Sequence, residues 1–264
     1  MHRLIKRAIE KANRENIHIA KATKAERVLS LLKKLRPIST NVSLIRIGSE
    51  RDGGYLVPDD MNGISACISP GVACECGFDL DVANRGIDVY MADASVDGPP
   101  ISHPKFHFLK KFVDSYSDNN TMTINDLVRL LPSNLANNDL LLQMDIEGAE
   151  YRVLHNLDED VLKKFRIIVI EFHHLGTLFS RMWFEHVSPI FLKLLSTHSV
   201  VHIHPNNNCR VVKRRGVEIP DVMEFTFYRN DRFSKDNEAL IFPHHLDTDN
   251  IAGIRPIPLP DCWK

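Results

Sequence analysis

The chain has 264 residues, 44% hydrophobic and 25% charged, a soluble globular composition large enough to bury a core without disulfide or metal staples. No run approaches eighteen apolar residues, which excludes a membrane-spanning helix of ordinary length. The net charge of −1 hides a polarity: residues 1–36 carry eleven Lys and Arg against three Glu, and residues 37–264 carry 22 basic against 31 acidic residues.

A basic head on an acidic body argues against a general nucleic-acid binder, whose groove would be basic. Residues 3–34 have helical periodicity, with Leu4, Ile5, Ala8, Ile9 and Ala12 on one side and Val28, Leu29, Leu31, Leu32 and Leu35 in a second cluster. The interruption at 13–16 predicts two helices, and Pro37 ends the second. The head reads as a packing or homodimerisation helix, or as a peripheral contact with an anionic membrane surface. It lacks the apolar segment and cleavage site of a secretory signal. After Pro37 apolar runs alternate with helical patterns. Strands are predicted at 64–69, 88–92, 140–144, 165–172, 200–203 and 223–228, with 105–113 a further extended segment. Helices are predicted at 78–85, 123–131, 149–157 and 183–195. Such alternation predicts a mostly parallel, doubly wound α/β sheet. The tail from Phe242 holds four Pro in 23 residues and is predicted irregular, with His244 and His245 at the surface. The cysteines Cys67, Cys74, Cys76, Cys209 and Cys262 are odd in number and irregularly spaced. They read as reduced thiols of a cytoplasmic protein.

Ligands of an open parallel sheet bind beyond the C-terminal ends of its strands. The residues there are Ser69-Pro70-Gly71, Asp93, 145–148, 171–174 and 204–207. Asp93 follows the second strand, about twenty residues after Gly71, where an acidic side chain can accept hydrogen bonds from a ribose diol. The first turn is not GxGxxG, which weighs against a dinucleotide and less against a nucleoside without phosphate. Glu171 and His173 are two apart at the end of a buried strand and face the same way. A carboxylate there needs a partner: His173, an Arg or a metal. Asp145, Glu171 and His173 together could hold Mg²⁺ or a transition metal. His204 is a further candidate at the next strand end. Asp79-Leu80-Asp81 imitates a metal-binding DxD but falls on a predicted helix.

The segment 141–150, Leu-Leu-Gln-Met-Asp-Ile-Glu-Gly-Ala-Glu, joins an apolar strand to Asp-x-Glu-Gly-x-Glu. Here the sequence resembles the FkbM-type family of S-adenosylmethionine-dependent methyltransferases. Arg51-Asp52-Gly53-Gly54-Tyr55, Gly71-Val72, Phe78-Asp79, Ile170 to His173, His202 to Asn207 and Pro220 to Thr226 are similar to further blocks of one branch, over residues 46–230. Ala73 and Cys74 stand where relatives often carry Gly and an acidic residue.

The resemblance implies a Rossmann-like seven-stranded methyltransferase sheet at 37–264 behind an N-terminal helical extension at 1–36. It implies S-adenosylmethionine as cofactor, with its ribose on Asp93. The amino-acid end would lie near Ser69, Gly71 and Asp52, Gly53, Gly54 and Tyr55, with Asp145 close by. It implies O-methylation of a sugar in a surface glycan, such as a lipopolysaccharide O-chain, or of a secondary-metabolite hydroxyl. Asp145, Glu171, His173 and His204 are the candidates for taking the acceptor's proton, as base and orienting carboxylate or as ligands of a divalent metal. The basic head would keep a cytoplasmic enzyme at the inner face of a membrane, near lipid-linked acceptors. The rival is a non-catalytic scaffold.

Overall fold

The computed structural model describes residues 21–73, 75–236 and 238–264. The first of the two helices expected within 3–34 falls mainly outside these residues, as does Cys74. The second is α1 (Ala25–Lys34), whose Val28, Leu31 and Leu32, with Leu35 beyond it, are buried at the i, i+3, i+4, i+7 spacing of one helical face. That face belongs to the main hydrophobic core, so part of the 1–36 stretch packs against the sheet.

The sheet strands in chain order are β3 (Ile64–Pro70), β4 (Asp88–Ala92), β5 (Phe106–Leu109), β8 (Asp139–Met144), β9 (Phe165–Phe172), β10 (His198–Pro205) and β13 (Met223–Arg229). Three small pairs lie outside it: β1 (Leu44–Gly48) with β2 (Gly54–Pro58), β6 (Phe112–Val113) with β7 (Thr121–Met122), and β11 (Val211–Arg214) with β12 (Val217–Pro220). The seven-stranded order is β10-β13-β9-β8-β3-β4-β5. The five strands from β9 to β5 are parallel, and β13 runs antiparallel to both neighbours. Counted by sequence, this is 3-2-1-4-5-7-6, a Rossmann-like methyltransferase order whose direction reverses between β3 and β8.

Both faces are covered, so the strands carry unbroken apolar runs. Ala66, Ile68, Leu140, Leu142, Ile168 and Ile170 face one layer, with α1, α3 (Ile124–Arg129), α5 (Glu150–Asn156) and α7 (Arg181–Leu195). Cys67, Val89, Leu141, Ile167 and Val169 face the other, under the β1–β2 hairpin and α2 (Gly77–Asn84). This is the alternation of a pleated strand with each face buried. Short helices α4 (Ser133–Ala136) and α6 (Glu159–Leu162) complete the connections. The segment expected as one strand at 105–113 is divided into β5 and β6 by Lys110 and Lys111. No helix among the described residues is long and apolar enough to cross a membrane.

The tail is irregular in backbone but not loose. Trp263 is fully buried against Phe225, with ring centroids 5.9 Å apart, and its indole donates to the Glu218 carbonyl at 3.2 Å. His244, expected at the surface, is half-buried beside His202, whereas His245 is exposed.

Candidate active site

The loops after β3 and β8 part at the topological reversal, and Gly71 lets them pass close together. Its φ is +89°, and a Cβ there would lie 1.9 Å from the Asp145 carbonyl oxygen. Any other residue would clash with backbone in a conformation that side chains disfavour. Two cavities, of about 500 and 410 Å³, open on either side and share Gly71, Ala73, Asp145 and Glu147 in their walls. The larger reaches Asp93, Ser95, Phe112, Val113, Tyr116 and Thr121; the smaller reaches Asp52, Gly53, Tyr55, Asp79 and Gln143.

Asp93 lies at the mouth of the larger cavity, but its carboxylate is already engaged. One oxygen accepts from the Val72 and Ala73 amides at 3.1 and 2.9 Å, the other from the Ser95 amide and hydroxyl at 2.7 and 2.6 Å. A carboxylate has about four acceptor positions, so Asp93 is first of all the clamp of the β3 loop. Burial pushes its carboxyl up, and the hydrogen bonds from Ser95, Ala73 and Val72 outweigh it and hold it below its ordinary range. Ser69 is fully buried and donates to Gln143 at 2.9 Å, behind the cavity wall rather than on it.

Around the smaller cavity Asp52 accepts from Asn250 at 2.9 Å, and Tyr55 packs edge-on to Phe78. Gly53 has φ +76°, and a Cβ on Gly54 would lie 1.9 Å from the Ser49 carbonyl, so both glycines shape the hairpin turn. Asp79 opens α2. It is buried, one of its oxygens has no partner, and burial pushes it up to about 7. The Asp79–Asp81 pair is therefore helical, and Asp81 caps the Gly48 amide at 2.8 Å instead of facing a ligand.

The Asp-x-Glu-Gly-x-Glu segment wraps around His173. Glu147 and Gly148 take positive φ, +56° and +100°, folding the chain back so that Glu150 enters the core with no exposed surface. One Glu150 oxygen accepts from the Gly148 amide at 3.0 Å and from the Ile146 amide at 3.3 Å, and contacts His173 Nδ1 at 3.0 Å. The Tyr151 hydroxyl donates to the His173 carbonyl at 2.6 Å. His173 Nε2 faces Glu171 at 3.3 Å, Glu147 at 3.4 Å and Asp145 at 3.9 Å. Glu171 is held from its other side by Asn206 at 3.1 Å.

These groups have more negative charge than one imidazole balances. Burial lowers the His173 imidazole, but the Glu150 hydrogen bond and the charges of Glu150, Glu171 and Asp145 lift it to about 9. Burial, then Glu147, Glu150 and Asp52, push Asp145 up to about 7 against the pull of His173. Burial, then Asp145 and Glu224, push Glu171 well above the ordinary carboxylate range. A His173 that keeps its proton at neutral pH is a poor base in that state. The group poised near neutrality is Asp145.

The structure brings Asp145, Glu171 and His173 together and places His204 elsewhere. Registers align Glu171 with Glu224 and Glu224 with His204, so His204 lies two strands away. There Asp247 of the tail ion-pairs with His202 at 2.9 Å and His204 at 3.5 Å. Glu224, buried and pushed up to about 7 by burial, accepts from Asn250 at 2.9 Å. Sequence reasoning missed the particular parts of Glu150, Asp79, Glu224 and Asp247. Glu150 was the visible one, being the closing residue of the motif. Asp247 and Asn250 had no signal, because they come from a stretch without periodicity.

A seven-stranded sheet of this order, with its cleft at the β3–β8 reversal, defines a Rossmann-like methyltransferase fold. Residues 83–194 match the family profile described as the methyltransferase FkbM domain. That match includes the Asp145–Glu150 motif and agrees with the resemblance it carries. No curated protein matches the chain. Among solved structures it is similar to the N-methyltransferase NodS from Bradyrhizobium japonicum WM9, at 11% identity over 63% of this chain and 86% of that one, with TM-score 0.33. It is also similar to a fibrillarin/Nop5p complex, at 10% identity over 64% and 74%, with TM-score 0.36. A third is the magnesium protoporphyrin IX methyltransferase ChlM from Synechocystis PCC 6803 with bound SAH, at 11% identity over 65% and 76%, with TM-score 0.33.

Proposed function

We propose that this methyltransferase moves a methyl group from S-adenosylmethionine to a hydroxyl oxygen, with a sugar of a surface glycan, of the lipopolysaccharide O-chain type, as the acceptor. The observation that carries the reading is the pair of cavities meeting at Gly71 and Asp145, with Glu171 and His173 buried behind Asp145. The residues fit such a cofactor. Its ammonium and sulfonium are cationic, and the smaller cavity is rich in acceptors: Asp52, Asp79, Asp145 and Glu147. Asp145 and Asp79 each have a buried oxygen without a partner, which a cation or donor would satisfy. Phe112, Val113 and Tyr116 offer apolar surface for a flat ring in the larger cavity. Asp93 fixes the β3 loop against it and could reach a ribose only by sharing its acceptor positions.

When bound, the cofactor supplies a methyl on a good leaving group, so the chain's task is alignment and proton removal. A sugar hydroxyl is a weak nucleophile, and its proton must leave as the new bond forms. Asp145 is an acceptor raised to about 7, chiefly by burial, and burial and Asp145 push Glu171 well above the ordinary carboxylate range. His173, fixed by Glu150, favours their ionised, proton-accepting form. Alternatively, the same three residues hold a divalent metal that acidifies the hydroxyl. The basic stretch 1–36 would keep the enzyme at an anionic membrane surface near lipid-linked acceptors. Exposed Phe112 and Tyr116 at the cavity mouth also favour a second reading, a soluble small-molecule hydroxyl with an aromatic or hydrocarbon face.

The test is methyl transfer from labelled S-adenosylmethionine to a panel of lipid-linked glycans, free oligosaccharides and hydroxylated small molecules, with the product linkage read by NMR. An O-methyl glycan supports the proposal; transfer to nitrogen, or only to small molecules, contradicts it. Sedimentation of the full chain with vesicles checks the tether. Binding to anionic vesicles and release by salt are expected, and equal binding to neutral vesicles would argue against it.

A further inference from the structure

We infer that Asp145, Glu171 and His173 form a binding site for one divalent first-row cation of the Mn²⁺ type, with Glu150 and Asn206 as its outer partners. The inference deepens the methyl-transfer reading and rests on it for the cation's role.

The donor atoms of the three residues all lie within 4.8 Å of one another. Bonds of roughly 2.0–2.2 Å around one ion put neighbouring donors about 3 Å apart and opposite donors about 4 Å apart. The separations from His173 Nε2, 3.3 Å to Glu171 and 3.9 Å to Asp145, fall in that range. The tautomer is fixed from outside. The Glu150 oxygen beside Nδ1 already accepts from two backbone amides, so it is an acceptor and Nδ1 carries the hydrogen. Nε2 is then the atom turned towards the two carboxylates. A buried carboxylate behind an imidazole is the usual outer support of a metal-bound histidine. Glu171 is oriented in the same way, since Asn206 occupies its Oε2 and leaves Oε1 towards His173.

Asp145 Oδ1 is the independent sign of a missing partner. It is buried and accepts no hydrogen bond, although Asp145 itself lines both cavities. A cation entering here would displace the Nε2 proton and take its place between the imidazole and the two carboxylate oxygens. One imidazole with two carboxylates suits a borderline ion better than Ca²⁺, which prefers oxygen throughout. The cation would remain open to the cleft, because Asp145 is partly exposed while Glu171 and His173 are not.

The test uses the full chain, stripped with EDTA and titrated with Mn²⁺ while free Mn²⁺ is followed by electron paramagnetic resonance. One saturable site is expected. Glu171→Gln and His173→Asn should each weaken it at least tenfold, and Glu150→Gln by roughly 10–100-fold. Because a buried variant can fail to fold, pulsed electron paramagnetic resonance on the unaltered protein is the second arm. A ¹⁴N coupling from one imidazole to Mn²⁺ is expected. Absence of saturable binding, or binding without ¹⁴N coupling, overturns the cation site. Calorimetry with S-adenosylhomocysteine on the same stripped sample keeps the two readings apart. Cofactor binding without Mn²⁺ binding sinks the cation and leaves the methyltransferase reading intact.

Discussion

The two ends of the sheet strands both gather charged groups and treat them in opposite ways. At the edge where the parallel strands begin, Arg166 is nearly fully buried. It donates to Asp139 at 2.8 Å, to Asp60 at 3.2 Å and to the Asp60 and Asn62 carbonyls. Arg229 donates to the other Asp139 oxygen at 2.6 Å, Arg232 to Asp60 at 3.0 and 3.1 Å, and the Tyr228 hydroxyl to Asp60 at 2.6 Å. Burial alone would push Asp60 and Asp139 up, but their arginine partners hold both below the ordinary range. At the edge where the strands end, Asp145, Glu147, Glu150 and Glu171 share one histidine, and Asp145 and Glu150 each keep a buried oxygen without a partner. The first edge is closed and serves the fold. The second is short of positive charge, as a site awaiting a cationic ligand should be.

The largest contrast should come from breaking the closed edge. Arg166→Ala removes the nearly buried cation that Asp60 and Asp139 share, leaving them only Arg232 and Arg229, and should cost about 3–5 kcal/mol of stability. The affinity of the folded fraction for S-adenosylhomocysteine should not change. Denaturant melts and calorimetry on the same preparation check both halves.

At the open edge the pattern should invert. Glu171→Gln removes an uncompensated buried charge, so stability should stay within about 1 kcal/mol of the parent. Methyl transfer should fall by roughly 10²–10⁴, the span expected when proton removal is lost. A variant that unfolds but turns over normally when folded would reverse the assignment of the two edges.

Opposite responses to pH should follow. Asp145 is raised to about 7 and His173 to about 9, so the native open edge binds protons that the unfolded chain has released. Its contribution is full at low pH and is lost as pH rises, for His173 between about 6.5 and 9. Asp60 and Asp139 are depressed, so their contribution is present above the unfolded carboxylate range and is lost as pH falls through it. Stability of the cation-free protein should therefore decline between pH 6.5 and 9, and His173→Asn should flatten that decline. Guanidinium melts across the range decide it; a rising or level profile would show that the open edge is not under-compensated.

A smaller effect is expected at Asp93. Asp93→Asn removes the charge and keeps one acceptor oxygen, so either the Val72 and Ala73 amides or the Ser95 amide loses its partner. Binding of S-adenosylhomocysteine should weaken by about 1.5–3 kcal/mol if the loop clamp or a shared ribose contact matters. Unchanged affinity by calorimetry would remove Asp93 from the site.

The fold was largely legible because apolar runs and turn residues are local signals. The strands at 88–92 and 165–172 match their structural bounds, and the motif at 145–150 marks the turn that carries the site. Glu171 and His173 were readable from period-two geometry on a buried strand. The rest was carried by contacts distant in sequence. Asp139, 27 residues from Arg166, gives no sign of pairing with it. Asp247 and Trp263 lie in a proline-rich tail without periodicity, yet one holds two histidines and the other enters the core. Asp93 was placed correctly at its strand end, but its hydrogen bonds to Val72, Ala73 and Ser95 depend on a loop shape no spacing rule supplies. His204 was grouped with His173 by position alone, and the antiparallel β13, carrying Glu224, separates them.

The central claim is that the ligand enters at the open edge between β3 and β8. Hydrogen–deuterium exchange of the full chain, with and without saturating S-adenosylhomocysteine, tests it directly. Slower exchange at 71–79, 93–97 and 145–150, with no change at 60–66, 164–168 and 229–232, is the expected result. Protection confined to the closed edge, or none anywhere at saturation, would contradict it.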